Sequence, residues 1–235
     1  MTQKNRKILP GITVALAVTA LLAFALFLTS CDPGPSPGND VERYPPSPPS
    51  FVTAKGISTT EIQITWEAVP RATGYIVESG RESSFGGSIF WSIIAGRGDV
   101  PIPGTSLNHT GLAENSTHWY RIIAVNNAGS GSRSIAVSSQ PLPTPPTNVR
   151  VPGTTSNQID IRWDSVAGAT GYRIERATAA TGPWNNISHI HGRHSTMFLD
   201  TGLSPNTTMF YRVITINNGG ESIPSATISG TTRSL

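Results

Sequence analysis

Three histidines, His189, His191 and His194, form a His-x-His-x-x-His cluster. On a strand His189 and His191 share a face, and Gly192 lets His194 fold back towards them. Imidazoles so placed bind zinc or copper. No carboxylate lies close in sequence except Asp200, so the expectation is a polar outer face running into a glycine turn, with no metal and no cofactor. The triplet Arg97-Gly98-Asp99 sets a guanidinium and a carboxylate a few ångströms apart, the pair that integrin-type adhesion receptors grip. Gly98 among polar neighbours is equally a turn. The serines and the five histidines form no nucleophile elbow between a strand and a helix. There is no glycine-rich phosphate loop before a helix, and the expectation is a chain that is not an enzyme.

Composition indicates what must position these residues. Charged residues are 13% of the chain and hydrophobic residues 37%, with 23 Gly and 19 Pro. Such a chain is poor in the residues long helices need and rich in Ser, Thr, Ile and Val, which argues for an all-β protein. The formal charge of +3 comes from 17 basic and 14 acidic residues. Removing Lys4, Arg6 and Lys7 leaves 14 basic against 14 acidic residues, with Lys55 the last lysine. The remainder is neutral and carries no basic cluster, which excludes a phosphate-tracking surface and a nucleic-acid partner.

The N-terminus has a basic flank (Lys4, Arg6, Lys7), an apolar run over 11–28, then Leu28-Thr29-Ser30-Cys31. This is the pattern of an export signal. The last four residues resemble the bacterial lipobox, and Cys31 is the chain's one cysteine. The resemblance implies a signal peptide over 1–30 and a diacylglycerol on the Cys31 thiol. It also implies anchoring to a membrane by more than one acyl chain, since a single chain holds weakly. An uncleaved signal-anchor helix is the alternative. Both place the rest of the chain outside the cytoplasm, in the cell envelope of a bacterium. Seven of the 18 residues over 33–50 are proline, which cannot pack a core and predicts an extended tether over 31–45. Four Asn-x-Ser/Thr sequons, at Asn108, Asn115, Asn186 and Asn206, are explained by chance in so Asn-, Ser- and Thr-rich a chain.

From residue 46 the chain repeats itself. Ile62-Gln63-Ile64-Thr65-Trp66 answers Ile159-Asp160-Ile161-Arg162-Trp163, and Thr73-Gly74-Tyr75 answers Thr170-Gly171-Tyr172, both 97 residues on. Tyr120-Arg121-Ile122-Ile123 answers Tyr211-Arg212-Val213-Ile214, and Asn126 to Gly129 answers Asn217 to Gly220, now 91 residues on. Six extra residues therefore lie between Tyr75 and Leu112 of the first repeat. Within each repeat the apolar period is two, as in half-buried antiparallel strands. About seven short strands per repeat suggest a sandwich of two sheets. A proline-led first strand, Trp66 and Trp163 ending the second, the Gly-Tyr of the third, and Leu112 and Leu203 before the sixth complete the pattern. Each repeat resembles a fibronectin type III domain. The resemblance implies two tandem immunoglobulin-like, seven-stranded β-sandwiches, over 46–141 and 145–235. The Pro141-Leu142-Pro143-Thr144-Pro145-Pro146 linker between them is too stiff for a random coil. In the family member known for an Arg-Gly-Asp triplet it lies between the last two strands, whereas Arg97-Gly98-Asp99 lies between the third and fifth, so adhesion is the lesser reading of the triplet. The family places a tyrosine six residues after the conserved leucine. Here those positions hold His118 and Met209, with Tyr120 and Tyr211 two residues later, which predicts a weaker corner in an unchanged fold.

One further stripe stands out. The outward face of the sixth strand reads Trp119, Arg121, Ile123 in the first repeat and Phe210, Arg212, Ile214 in the second. A solvated sheet face is more polar than this, so the six residues are a candidate binding surface unless their sheet neighbours cover them. The reading is a non-catalytic envelope lipoprotein that presents its domains for protein binding, adhesion or spacing. The alternative is a polysaccharide-binding module or an accessory subunit of an envelope carbohydrate-active enzyme, favoured if Trp91, Trp119 and Trp184 are exposed and coplanar.

Overall fold

The computed structural model describes residues 44–83, 87–96 and 101–235, all within one contact unit, Gly38–Leu235. Arg97, Gly98, Asp99 and Cys31 lie outside the described residues. Among the described residues there is no α-helix. The first repeat contains β1 Thr53–Ser58, β2 Glu61–Thr65, β3 Gly74–Glu82, β4 Ile89–Ala95, β5 Ser106–His109, β6 His118–Asn126, β7 Gly129–Arg133 and β8 Val137–Ser139. The second contains β9 Arg150–Thr154, β10 Gln158–Arg162, β11 Gly171–Ala177, β12 Asn185–His191, β13 Met197–Thr201, β14 Thr208–Asn217, β15 Gly220–Glu221 and β16 Ile228–Thr231.

Each repeat is a sandwich. In the first, β1-β2-β5 faces β4-β3-β6, with β7 and β8 both on the far edge of β6. In the second, β9-β10-β13 faces β12-β11-β14, with β15 and β16 on β14. The seventh strand of the expected sandwich is thus two segments, and serines explain the break. Ser134 Oγ accepts from Ile122 N at 2.9 Å, and Ser225 Oγ accepts from Val213 N at 3.0 Å. A hydroxyl stands in for the carbonyl that an unbroken strand would offer, and the ladder resumes beyond it.

The period-two pattern places the cores. His118, Tyr120, Ile122 and Ala124 of β6 are fully buried, opposite Ile62 and Ile64 of β2. Tyr211 and Val213 of β14 meet Ile159 and Ile161 of β10 in the same way. Trp66 and Trp163 sit one residue past the ends of β2 and β10. Each packs edge-on against a tyrosine, with ring centroids 5.4 Å apart for Trp66–Tyr75 and 5.3 Å for Trp163–Tyr172. The tyrosine hydroxyls accept the backbone N–H of Val69 (2.8 Å) and Val166 (2.9 Å), so each aromatic pair also pins the turn before β3 or β11.

The segment joining the sandwiches is held from both sides. Leu142 N donates to Ser58 O at 2.8 Å, and Asn217 Nδ2 donates to Pro141 O at 2.9 Å. Gly56 N donates to Gly219 O at 3.2 Å. Gly219 is required by this close approach, because a Cβ there would stand 2.0 Å from Gln140 O. Asn126 treats the chain entering the first sandwich alike, donating to Tyr44 O at 3.0 Å.

Candidate functional site

Strand alternation sends every second residue of β3, β4 and β6 to the outer face, and the same group of side chains assembles there in both repeats. In the first, Glu78 of β3 lies opposite Arg121 of β6. Arg121 Nε donates to Glu78 Oε2, and Arg133 of β7 donates to the same carboxylate from Nε at 3.0 Å and Nη2 at 3.2 Å. The Arg121 guanidinium also lies 3.9 Å from the centroid of Trp91. In the second, Glu175 receives Arg212 and Arg173, Arg173 reaches on to Glu221 at 2.7 Å, and Arg212 lies 4.4 Å from the centroid of Trp184. Glu78 and Glu175 are nearly buried, with side chains 9% and 10% exposed. Burial acts to raise each carboxyl, but hydrogen bonds and charge from the paired arginines outweigh it and hold both below the ordinary glutamate value.

Six residues were expected to form an outward binding stripe, and the structure separates them. Ile123 and Ile214 face outward but are only 7% and 1% exposed. Ile123 is flanked across the sheet by Ile76 and Arg133, and Ile214 by Arg173. Neighbouring side chains thus cover these two residues, and they are not available to a partner. Trp119 and Phe210 are half-buried. Trp119 forms a row with Gly80 and Trp91, and Gly80 matters because a Cβ there would meet the Trp91 ring at 3.1 Å. Arg121 and Arg212 are partly open, and each covers a face of its tryptophan. The tryptophan–arginine–glutamate group escaped sequence reasoning because Trp91 lies on the edge strand β4 and Trp184 just before the edge strand β12, and the repeat offsets do not give the register of either. Glu78 and Glu175, 97 residues apart in the middle of matching strands, were its visible signal.

The histidine cluster is dispersed. His189 and His191 point to solvent from β12, with His189 Nε2 2.7 Å from Asn186 Nδ2. His194 Nε2 is 3.2 Å from Arg193 Nη2. Among the described residues no three His, Cys, Asp or Glu side chains gather as metal ligands would.

The altered corners also differ between repeats. In the second, the Tyr211 hydroxyl donates to Asp200 Oδ2 at 2.7 Å, and Arg176 Nη1 donates to the same carboxylate at 2.9 and 3.0 Å. In the first, the Tyr120 hydroxyl is 3.0 Å from His109 Nδ1, and His118 stacks on Tyr120. Ser116 Oγ donates to Ala113 O at 2.6 Å, so it accepts from His118 Nε2 at 2.8 Å. The His118 proton therefore sits on Nε2, leaving Nδ1 a buried acceptor with no partner among the described residues. Burial, with the charges of Arg81 and His109, pushes His118 down to about 4.

The family model for the fibronectin type III domain matches residues 144–231. A Kelch domain-containing protein of Saccharolobus solfataricus is 26% identical over 185 residues, 77% of this chain and 24% of that protein. A poly(3-hydroxybutyrate) depolymerase of Ralstonia pickettii is 34% identical over 110 residues, 46% of this chain and 20% of the depolymerase. This chain thus spans a quarter or less of the length of these curated relatives. Among solved structures, the FN1–FN3 domains of chicken CNTN1 give a TM-score of 0.48 at 25% identity, over 81% of this chain and 69% of that one.

Proposed function

We propose that the chain is a non-catalytic lipoprotein of a bacterial envelope that holds two fibronectin type III-like domains outside the cytoplasm for protein binding or spacing. In this reading 1–30 is the signal peptide, 31–45 the tether, and 46–141 and 145–235 the domains. The observation that carries the binding role is the repeated outer-face group, Trp91–Arg121–Glu78 and Trp184–Arg212–Glu175. Tryptophan and arginine are the side chains that most often anchor protein interfaces, and here buried carboxylates hold the arginines in place. The same packing disfavours the polysaccharide alternative, since Arg121 and Arg212 already occupy a ring face that a sugar would stack on. The likeness to one-fifth of a poly(3-hydroxybutyrate) depolymerase suits an accessory module, but that polymer is a polyester and lends no support to a carbohydrate ligand.

Two measurements test the proposal. Cys31→Ala should abolish incorporation of labelled palmitate and leave a larger, uncleaved precursor; normal processing of the variant would refute the anchor. Charge reversal at Arg121 and Arg212 should remove crosslinks between the intact cells' envelope proteins and this chain. Crosslinks unchanged by the reversal would refute the face.

A further inference from the structure

The two repeats diverge at one place. In the second sandwich, Arg176 of β11 lies between the sheets and binds Asp200 of β13. The equivalent positions in the first, 97 and 91 residues earlier, are Ser79 and His109. Both charges of the ion pair are gone, and Ser79 lacks the length to fill the space that Arg176 fills. A cleft of about 360 Å³ opens there, lined by Ser79, Arg81, Phe90, Ser92, Ile94 and His109, with Trp91 at its edge.

The cleft's position follows from the register. Ser79 pairs with Ser92 and Arg81 with Phe90, so these four share the inner side of the β3–β4 ladder, opposite the Trp91–Arg121–Glu78 face. His109 closes it from β5, in the facing sheet. Both β4 and β5 are edge strands, so the cleft opens to solvent between two sheet edges. Its polar lining is a guanidinium, two hydroxyls and an imidazole, with no carboxylate. Arg81 has no ion-pair partner among the described residues, yet its charge acts on His109, His118 and Tyr120, which places it over this end of the sandwich. Phe90 is 69% exposed and, with Ile94, offers an apolar wall. Behind the site the buried Nδ1 of His118 has no partner.

We infer that this cleft between β4 and β5 of the first sandwich binds a small organic carboxylate, with its carboxylate on Arg81, Ser79 and His109 and its apolar body along Phe90 and Ile94. The sister repeat shows what is missing. There, an internal carboxylate meets an internal guanidinium and a tyrosine; here, both charges of that pair are gone, Tyr120 remains, and the charged residue lining the cleft is Arg81, two positions further along β3. A ligand carboxylate supplies the acceptor that Arg81 lacks among the described residues. The inference goes beyond the proposed display role and stands whether or not Cys31 is lipidated.

The test uses the purified full-length chain and phenylacetate, followed by calorimetry and by NMR shifts of residues lining the cleft. Saturable binding with a dissociation constant on the order of 1 mM is expected, as a ligand of this size allows. Arg81→Gln should weaken it at least tenfold, and so should replacing phenylacetate by the uncharged 2-phenylethanol. The double variant Ser79→Arg with His109→Asp rebuilds the sister ion pair and should abolish binding. Equal binding of phenylacetate and 2-phenylethanol would overturn the carboxylate assignment. Binding unchanged in Arg81→Gln, or shifts confined to Glu78, Arg121 and Arg133 on the opposite face, would overturn the site.

Discussion

Acid should loosen the first sandwich well before the second, and His118 is the reason. The ring is fully buried, its Nε2 proton is committed to Ser116, and its Nδ1 has no acceptor to receive a second proton. Its folded value of about 4 lies below the 6.5 of an ordinary histidine. A depressed histidine binds fewer protons in the folded state than in the unfolded one. Its contribution is therefore complete above pH 6.5 and is lost as pH falls towards 4. Linkage gives a loss of about 2 kcal/mol by pH 5, rising to roughly 3 kcal/mol near pH 4. His109 is lowered as well, by burial first and then by Arg81, and adds in the same direction. The carboxylates do not confuse this window. Glu78 and Glu175 are held below 4.5, so their contributions fade only at lower pH, and they do so in both sandwiches. Hydrogen exchange of the intact chain resolves the repeats. From pH 6.5 to 5, after correction for intrinsic exchange, protection of β6 amides should fall about 15-fold while β14 changes little. His118→Met, which installs the residue found at position 209, should flatten the β6 response. Protection in β6 that does not vary with pH, or that varies equally in His118→Met, would refute the reasoning.

Trp163→Ala removes the aromatic anchor of the second core and should cost about 3–5 kcal/mol by urea unfolding; a loss under about 1 kcal/mol would show that the edge-on pair with Tyr172 is dispensable. Glu175→Gln leaves Arg173 and Arg212 without their shared carboxylate. Because both guanidiniums keep some contact with water, the cost should fall near or below the low end of the roughly 3–5 kcal/mol typical of a broken buried pair, with a shift of the Trp184 indole N–H resonance in NMR as Arg212 is released. Gly219→Val forces a side chain into the 2.0 Å approach of Gln140 O and should break the Gly56–Gly219 hydrogen bond. NMR should then show shifts at Gly56, Leu142 and Asn217 with both cores intact, and undisturbed shifts there would contradict the joint described above.

Strand identity and the two cores were legible in the chain because both depend on local alternation. Ile62, Ile64 and Trp66, and again Ile159, Ile161 and Trp163, place themselves on one face by period two, and the 97- and 91-residue offsets announce the same fold twice. Alternation also put Ile123 and Ile214 on the outer face, but it carries no information on what lies beside them. Only the strand order, which sets Arg133 next to Ile123 and Arg173 next to Ile214, decided that they are covered. The same holds for Glu78 and Glu175. Arg173 stands two residues from Glu175 on its own strand, but Arg121 and Arg133 reach Glu78, and Arg212 reaches Glu175, only once β6 and β7, or β14, lie beside them. The cleft at Ser79 and His109 is the most tertiary feature of all. Its walls come from β3, β4 and β5, whose residues are up to 30 positions apart, and its emptiness is a matter of volume between two sheets. A sequence specifies which side chains face inward through short-range periodicity. Whether they fill the space they face depends on the separation and register of strands that meet only when the sandwich closes.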